Sequence, residues 1–405
     1  MPKDIAVIGG GLTGCLAALE FAGRGHRVVI FERGAALLTR ASLANEGKIH
    51  LGYTYAADKS FRTAERMVED ALQFRVLLER WISRAEFQRC LYDPFIYQVP
   101  ANSALPVDAI TRHFTRIEAL ARQRMTETGL DYLGEREFES FSPCPDEAAP
   151  GLACFLTAER GVWPQGISTA VSRSVMAHPL IEICPGQRVD CARPKDGGWA
   201  IALAGEQANH GHFDMVVNCA WAERRAIDRR SGFASSGTWY TRYKFGVVLE
   251  QASRVLVDGI PPNTTATSGP FGDLVHFPQD GSLYCSWYPV GMCFATLEET
   301  AEPPDFLDQR SDEMMRRTWE GCASLAPAIA KLAELPSPLP ARLIGDFILA
   351  QGQSDIDDPM SGLHYRSTHG ATELARGYWS IETGKYTSAP RCADECVRLS
   401  LGEDR

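Results

Sequence analysis

An apolar run, Asp4-Ile5-Ala6-Val7-Ile8, leads directly into Gly9-Gly10-Gly11-Leu12-Thr13-Gly14, and the chain reaches Glu32 eighteen residues after Gly14. The run reads as a buried parallel strand. The glycines read as a turn into a helix that keeps Leu12, Cys15, Leu16 and Leu19 on its inner side, and Val28-Val29-Ile30-Phe31 as a second strand ending in an acid. Strand, glycine turn, helix, strand and acid at this spacing form the dinucleotide fingerprint. Gly9 allows the tight turn, Gly11 lets a pyrophosphate approach the backbone, and Gly14 lets the helix pack close to the strand. The phosphates would rest on free N–H groups at the helix start, beside Leu12. Glu32 would accept hydrogen bonds from the adenosine ribose, with Arg33 next to it at the same edge. An acid there disfavours a 2′-phosphate, which leaves FAD and NAD open.

The rest of the chain bounds the answer. With 405 residues, two intimately connected domains are expected. A net charge of −10 argues against nonspecific nucleic-acid binding. No run approaches the ~20 apolar residues of a membrane-spanning helix, so no transmembrane segment is expected. The first strand begins at residue 4, which leaves no room for a signal peptide and makes the cytoplasm the expected location. The twelve cysteines include no C-x-x-C, and they read as reduced core or surface thiols without a metal site.

Along the chain, the polar segment Ala41 to Tyr53 follows the nucleotide unit and reads as a loop lying along the cofactor. Helical spacing is predicted over 60–84, 106–128 and 165–177, and strands over 181–184, 198–203 and 213–221. From 238 to 297, strands and turns predict an antiparallel sheet, followed by a helix over 308–334. Arg242, Tyr243 and Lys244 are weaker candidates for the site, against the residues of an exposed edge strand, which is often charged. Strand 377–381 then leads through Gly384-Lys385-Tyr386-Thr387 into a helix from Ser388, the expected N-cap, to Leu401, with Gly402 beyond it.

Four segments, in order, resemble the FAD-dependent D-amino-acid oxidase family, which includes glycine oxidase, sarcosine oxidase and glycerol-3-phosphate dehydrogenase. They are Gly9 to Glu32, Ser42 to His50 (S-x-x-N-x-G-x-I-H), Asp214 to Asp228 (with D-x-V-V-N-x-A) and Gly384 to Thr387 (G-K-x-T). The resemblance implies FAD as cofactor. It implies a Rossmann-type α/β FAD-binding domain and a second, α+β substrate domain on an antiparallel sheet. The FAD domain would be discontinuous (1–58, 150–232 and 341–405), with 59–149 and 233–340 forming the substrate or cap domain. Carried over residue by residue, Ser42, Asn45, Gly47 and Lys48 would run beside the phosphates and flavin, and Val189 would touch adenine through its backbone. Ala220 would lie near the cofactor, and Gly384, Lys385, Tyr386 and Thr387 would line the flavin pyrimidine edge. The chain departs from the family pattern at Trp221, where a glycine is usual. It departs again at Ala341-Arg342-Leu343-Ile344-Gly345, where an Arg-Pro segment often supplies a substrate-carboxylate arginine.

Four residues are candidates for the chemistry. His50 would be a base or a flavin attachment point, against a histidine merely hydrogen-bonded in its loop. Arg366 and Arg342 would anchor a carboxylate or phosphate, against ordinary salt bridges. Tyr288 would roof the flavin, against an aromatic packed in the sheet. The expected reaction is oxidation of a C–N bond in a small amine or amino-acid-like substrate, with oxygen as acceptor. The alternatives are a C–OH dehydrogenase passing electrons to a quinone, and a non-catalytic flavoprotein.

Overall fold

In the computed structural model the described residues are 1–137, 139–144, 151–234, 237–256, 259–299, 302–335, 340–352, 361–365 and 369–403. Strand β1 (Asp4–Ile8), helix α1 (Leu12–Gly23) and strand β2 (Arg27–Glu32) form the βαβ unit that the glycine spacing predicts. β1 sits inside a six-stranded sheet. On one side it pairs in parallel with Met215–Asn218, then Tyr378–Glu382; on the other with β2, then Ile181–Pro185. Only the edge strand Gly370–Ala375 runs antiparallel.

The period of two along β1 assigns its faces. Ile5 and Val7 join the core formed with α1 and the C-terminal helix Ala389–Leu401. Ala6 and Ile8 join Val189, Trp199, Ile201 and Phe213 of a three-stranded antiparallel sheet on the opposite side. Burial on both faces explains why this strand is apolar at every position after Asp4.

The second sheet has nine strands. Its centre is Trp239–Leu249, flanked by Ser282–Trp287 and Met292–Thr296 on one side and by Ala341–Gln351 on the other. The predicted antiparallel pattern holds except where Thr264–Ala266 runs parallel to Ile96–Val99. Helix Ser311–Cys322 covers it with Met315, Trp319 and Cys322, against Val247, Leu274 and Cys285. The helix expected over 308–334 is broken into pieces, with Pro327 opening a separate turn Pro327–Ile329.

Three segments sit differently from the expected partition. Ala153–Leu156 and Ala341–Gln351, expected with the cofactor domain, are strands of the nine-stranded sheet. Helix Arg62–Leu78, expected in the cap, is fastened to the C-terminal helix. There the buried Asp70 carboxylate accepts from Ser388 Oγ at 2.5 Å and Arg391 Nη1 at 2.9 Å, and lies 2.8 Å from His369 Nε2. Ser388 does hold the N-cap position, but its hydroxyl serves Asp70 and not the helix amides. No helix among the described residues is long and apolar enough to cross a membrane.

Candidate active site

A cleft of about 500 Å³ opens at the carboxyl ends of β1 and β2 and runs to the face of the nine-stranded sheet. Its first stretch is backbone. Gly9 has φ +98°, and a Cβ there would lie 2.9 Å from the carbonyl oxygen of Cys219. A Cβ on Gly14 would lie 2.0 Å from the carbonyl oxygen of Gly9, so Gly14 does not line the cleft but lets α1 close onto the turn. Gly11 faces more room: a Cβ there would find Ser42 Oγ as its nearest neighbour, at 3.5 Å. Gly11 is the N-cap of α1 and offers no side chain to its amides, and the amide end of the helix borders the cleft. Glu32 accepts from the amides of Gly10 at 2.7 Å and Gly34 at 2.6 Å, which fixes the acid at the cleft edge.

The segment 41–50 crosses the cleft as a pinned loop. Asn45 donates from Nδ2 to the Ala41 carbonyl at 2.8 Å and accepts the Gly47 amide at 2.7 Å. Ser42 Oγ accepts the Leu12 amide at 3.0 Å, tying loop to helix start. Gly47, like Gly14, supports from behind: a Cβ there would meet the Val162 carbonyl oxygen at 1.9 Å. Thr387 is also behind the lining; its hydroxyl accepts the His50 amide at 2.9 Å and donates to the Lys48 carbonyl at 3.3 Å.

Lys48 turns away from the phosphate turn. Its ammonium group is buried, hydrogen-bonded to Thr265 and to Asp273 Oδ1 at 3.0 Å, and 4.2 Å from the centre of the Phe95 ring. Asp273 Oδ2 accepts from Ser286 Oγ at 3.3 Å and faces Lys244 Nζ at 3.9 Å. Burial opposes its charge, but Lys48 and Lys244 outweigh that cost and hold the Asp273 carboxyl well below the ordinary range. The Lys244 ammonium stands 4.3 Å over the Tyr288 ring and lowers the phenol against the effect of burial.

His50 lines the same stretch. Its Nδ1 lies 3.7 Å from Glu159 Oε1, beyond hydrogen-bond length. Burial, then the charge of Lys385, push the imidazole below its ordinary value, against the pull of Glu159. Glu159 is fully buried, accepts the Leu51 amide at 2.6 Å, and is bonded by Tyr97. His50 Nδ1 and the Tyr55 hydroxyl, both on cleft-lining residues, are buried without a hydrogen-bond partner. With the glycine cradle, these unmet polar atoms fit a long, polar-ended occupant such as a dinucleotide carrying a heteroaromatic ring.

Of the other residues read from sequence, Leu12, Arg33, Val189, Ala220, Tyr288, Gly384, Lys385 and Tyr386 all border the cleft. Arg33 also pairs with Glu223 at 3.4 Å. Arg342 does not reach it: the side chain is exposed, 3.6 Å from Glu250, at the far end of the strand whose Asp346 and Phe347 line the cleft. Arg366 lies outside the described residues. Arg242 and Lys244, the weaker candidates, line the cleft and are not the charges of an exposed edge. Their strand is covered on both sides by neighbours, and Arg242 is 2% exposed. Asp273, Glu159 and Tyr55 carry no signal in the sequence; each gains meaning only through partners far away along the chain.

The family model described as DAO, FAD dependent oxidoreductase, matches residues 4–345. The FAD-dependent monooxygenase FPY4 of Fusarium mangiferae is 37% identical over 228 residues, which are 56% of this chain and 52% of that protein. The glycine oxidase of Geobacillus kaustophilus is 39% identical over 75 residues, 18% of each chain. The chain thus spans about half the length of the first curated relative it matches, and under a fifth of the second. Among solved structures, that glycine oxidase superposes with a TM-score of 0.65 at 16% identity, covering 100% of this chain and 96% of the other. An FAD-bound L-α-glycerophosphate oxidase from Mycoplasma pneumoniae gives 0.62 at 14% identity, covering 99% and 95%. At these identities the likeness to solved structures is one of fold.

Proposed function

The chain belongs to the DAO family of FAD-dependent oxidoreductases, an enzyme family whose cofactor is FAD, and from that premise we propose that it oxidises the C–N bond of a small, anionic, amino-acid-like substrate by hydride transfer to flavin N5. The observation that carries this reading is the convergence of Arg242, Lys244 and Lys385 with Tyr288 on one cleft next to the glycine cradle. Bound FAD supplies the two-electron acceptor for a C–H beside nitrogen. The protein's own residues do the rest.

The guanidinium of Arg242 offers a planar fork to a carboxylate, and its burial excludes competing water. Lys244 and Lys385 add positive potential. That potential also lowers the pKa of a substrate ammonium nearby, which favours the free amine needed for hydride loss. His50, kept neutral by burial and by Lys385, is a proton acceptor at the same wall. Oxygen is the proposed electron acceptor. The same cations suit a phosphate, so a C–OH substrate of the glycerol-phosphate kind is the second reading, favoured by Lys385 in its G-K-x-T setting.

Anaerobic titration of the FAD-loaded protein with amines, amino acids and hydroxy acids decides between them. Loss of the oxidised flavin absorbance with an anionic amine or amino acid, and peroxide on readmission of air, is the expected result. Bleaching by hydroxy acids or glycerol phosphate alone would overturn the C–N assignment.

A further inference from the structure

Strand Ser142–Pro143 lies antiparallel to Ala153–Leu156 at the edge of the nine-stranded sheet, in the register Ser142↔Leu156 and Pro143↔Phe155. Continued by one residue, this register sets Cys144 directly opposite Cys154, and the Cys144 amide donates to the Cys154 carbonyl at 2.9 Å. Directly opposed residues in an antiparallel pair point to the same face, with Cα atoms roughly 4.5–5.5 Å apart. A disulfide accepts Cα separations of about 4.4–6.8 Å. Both residues are free cysteines and partly exposed, as are Cys184 and Cys293, whereas the other eight of the twelve are buried.

We propose that Cys144 and Cys154 form a redox-modification site, a dithiol that closes to an intramolecular cross-strand disulfide under a peroxide. The step balances as two thiols and one hydrogen peroxide giving one S–S bond and two waters. Cys144 sulfur is first oxidised to the sulfenic acid as the O–O bond breaks and one water leaves. Cys154 sulfur then displaces hydroxide from it, which leaves with the Cys154 proton as the second water. Burial raises the Cys154 thiol, which disfavours it as the sulfur oxidised first and leaves that step to Cys144. The bond would clamp the edge where the chain enters Ala153–Leu156. That strand leads on through Thr157, whose hydroxyl donates to the Phe95 carbonyl at 3.0 Å, to Glu159 beside His50. The proposal goes beyond the substrate assignment and does not rest on it.

The test uses the full-length, FAD-loaded protein and added hydrogen peroxide, followed by alkylation under denaturing conditions and peptide mapping. The expected result is loss of two alkylatable thiols out of twelve, with Cys144 and Cys154 in one cross-link lighter by two hydrogens and restored by dithiothreitol. The thermal midpoint should rise by about 1–3 °C in the oxidised form. Cys144→Ser and Cys154→Ser should each abolish the cross-link, with Cys144 in C154S trapped as the sulfenic acid by a dimedone probe. Recovery of both cysteines fully alkylated after peroxide, or their separate over-oxidation without an S–S bond, would overturn the proposal. The wild-type map decides the matter even if a variant fails to fold.

Discussion

The indole Nε1 of Trp221 donates a 2.9 Å hydrogen bond to the backbone carbonyl of Phe347, joining the end of a strand of the parallel sheet to a flanking strand of the nine-stranded one. Trp221 holds φ +48°, a left-handed conformation that explains why a glycine is usual there. The chain accepts a strained backbone where the indole packs beside Trp239, Tyr243 and Phe347.

Two substitutions separate strain from contact. Trp221→Phe should cost about 1 kcal/mol, the worth of the lost hydrogen bond. Trp221→Gly relieves about 1 kcal/mol of backbone strain but removes an aromatic worth about 2–3 kcal/mol of burial. A net loss of about 1–2 kcal/mol is expected for the glycine substitution in urea unfolding. If Trp221→Gly proves more stable than the parent, the indole contributes less than the backbone strain it imposes.

Breaking the Lys48–Asp273 pair should be among the costliest single changes at the site. Lys48→Met leaves a buried carboxylate with Lys244 at 3.9 Å and hydroxyl donors from Thr265 and Ser286. The expected loss is about 3 kcal/mol, with recovery of part of it in the double variant Lys48→Met/Asp273→Asn. Strict additivity of the two single changes in denaturant unfolding would contradict a working pair.

Gly14→Ala tests the cradle without touching a cleft-lining side chain. Its methyl carbon would start 2.0 Å from the Gly9 carbonyl oxygen, so either the helix or the turn must move. FAD retention through gel filtration, read from the ratio of flavin to protein absorbance, should fall at least tenfold. Full retention would mean that the turn relaxes without disturbing the pyrophosphate site.

Arg242→Met should weaken an anionic substrate by roughly 10- to 100-fold in KM or Kd, the value of one charge-assisted hydrogen-bonded pair. Reduction of the flavin by dithionite should be unaffected. An equal loss with neutral amines would place Arg242 in the scaffold and remove it from the substrate contact.

Stability should rise with pH across the range below about 6.5. The folded protein lowers the His50 pKa from its ordinary 6.5, so the unfolded chain binds that proton first as pH falls and gains on the native state. The carboxyls of Asp70, Glu46, Glu159 and Asp273 are also lowered. Their contribution is present above their ordinary values of 3.8 to 4.5 and is lost as pH drops through and below them. Replacing His50 by Gln should flatten the slope just below pH 6.5 by up to about 1.4 kcal/mol per pH unit. An unchanged slope would mean that His50 takes up its proton equally in both states.

The cofactor cradle is legible in the sequence because its signals are local: an apolar run, glycines at fixed offsets, and an acid at the end of the next strand. The cation-lined part of the cleft is not. Arg242 and Lys244 look like edge charges until Ala341–Gln351 is seen to pair along the whole of Trp239–Leu249. That pairing spans about a hundred residues and has no local signature. Asp273 likewise carries no mark of its role until Lys48, more than two hundred residues earlier, is found against it. Arg342 misleads for the complementary reason. A strand can deliver one end to a site and leave the other in solvent, and spacing alone does not say which.

Thr387 binds the backbone of both Lys48 and His50, so one wall of the cleft is stitched from segments more than three hundred residues apart. During synthesis the glycine turn emerges well before the threonine that fastens its neighbouring loop. A nascent chain halted before that threonine would hold half a cradle with nothing to close it.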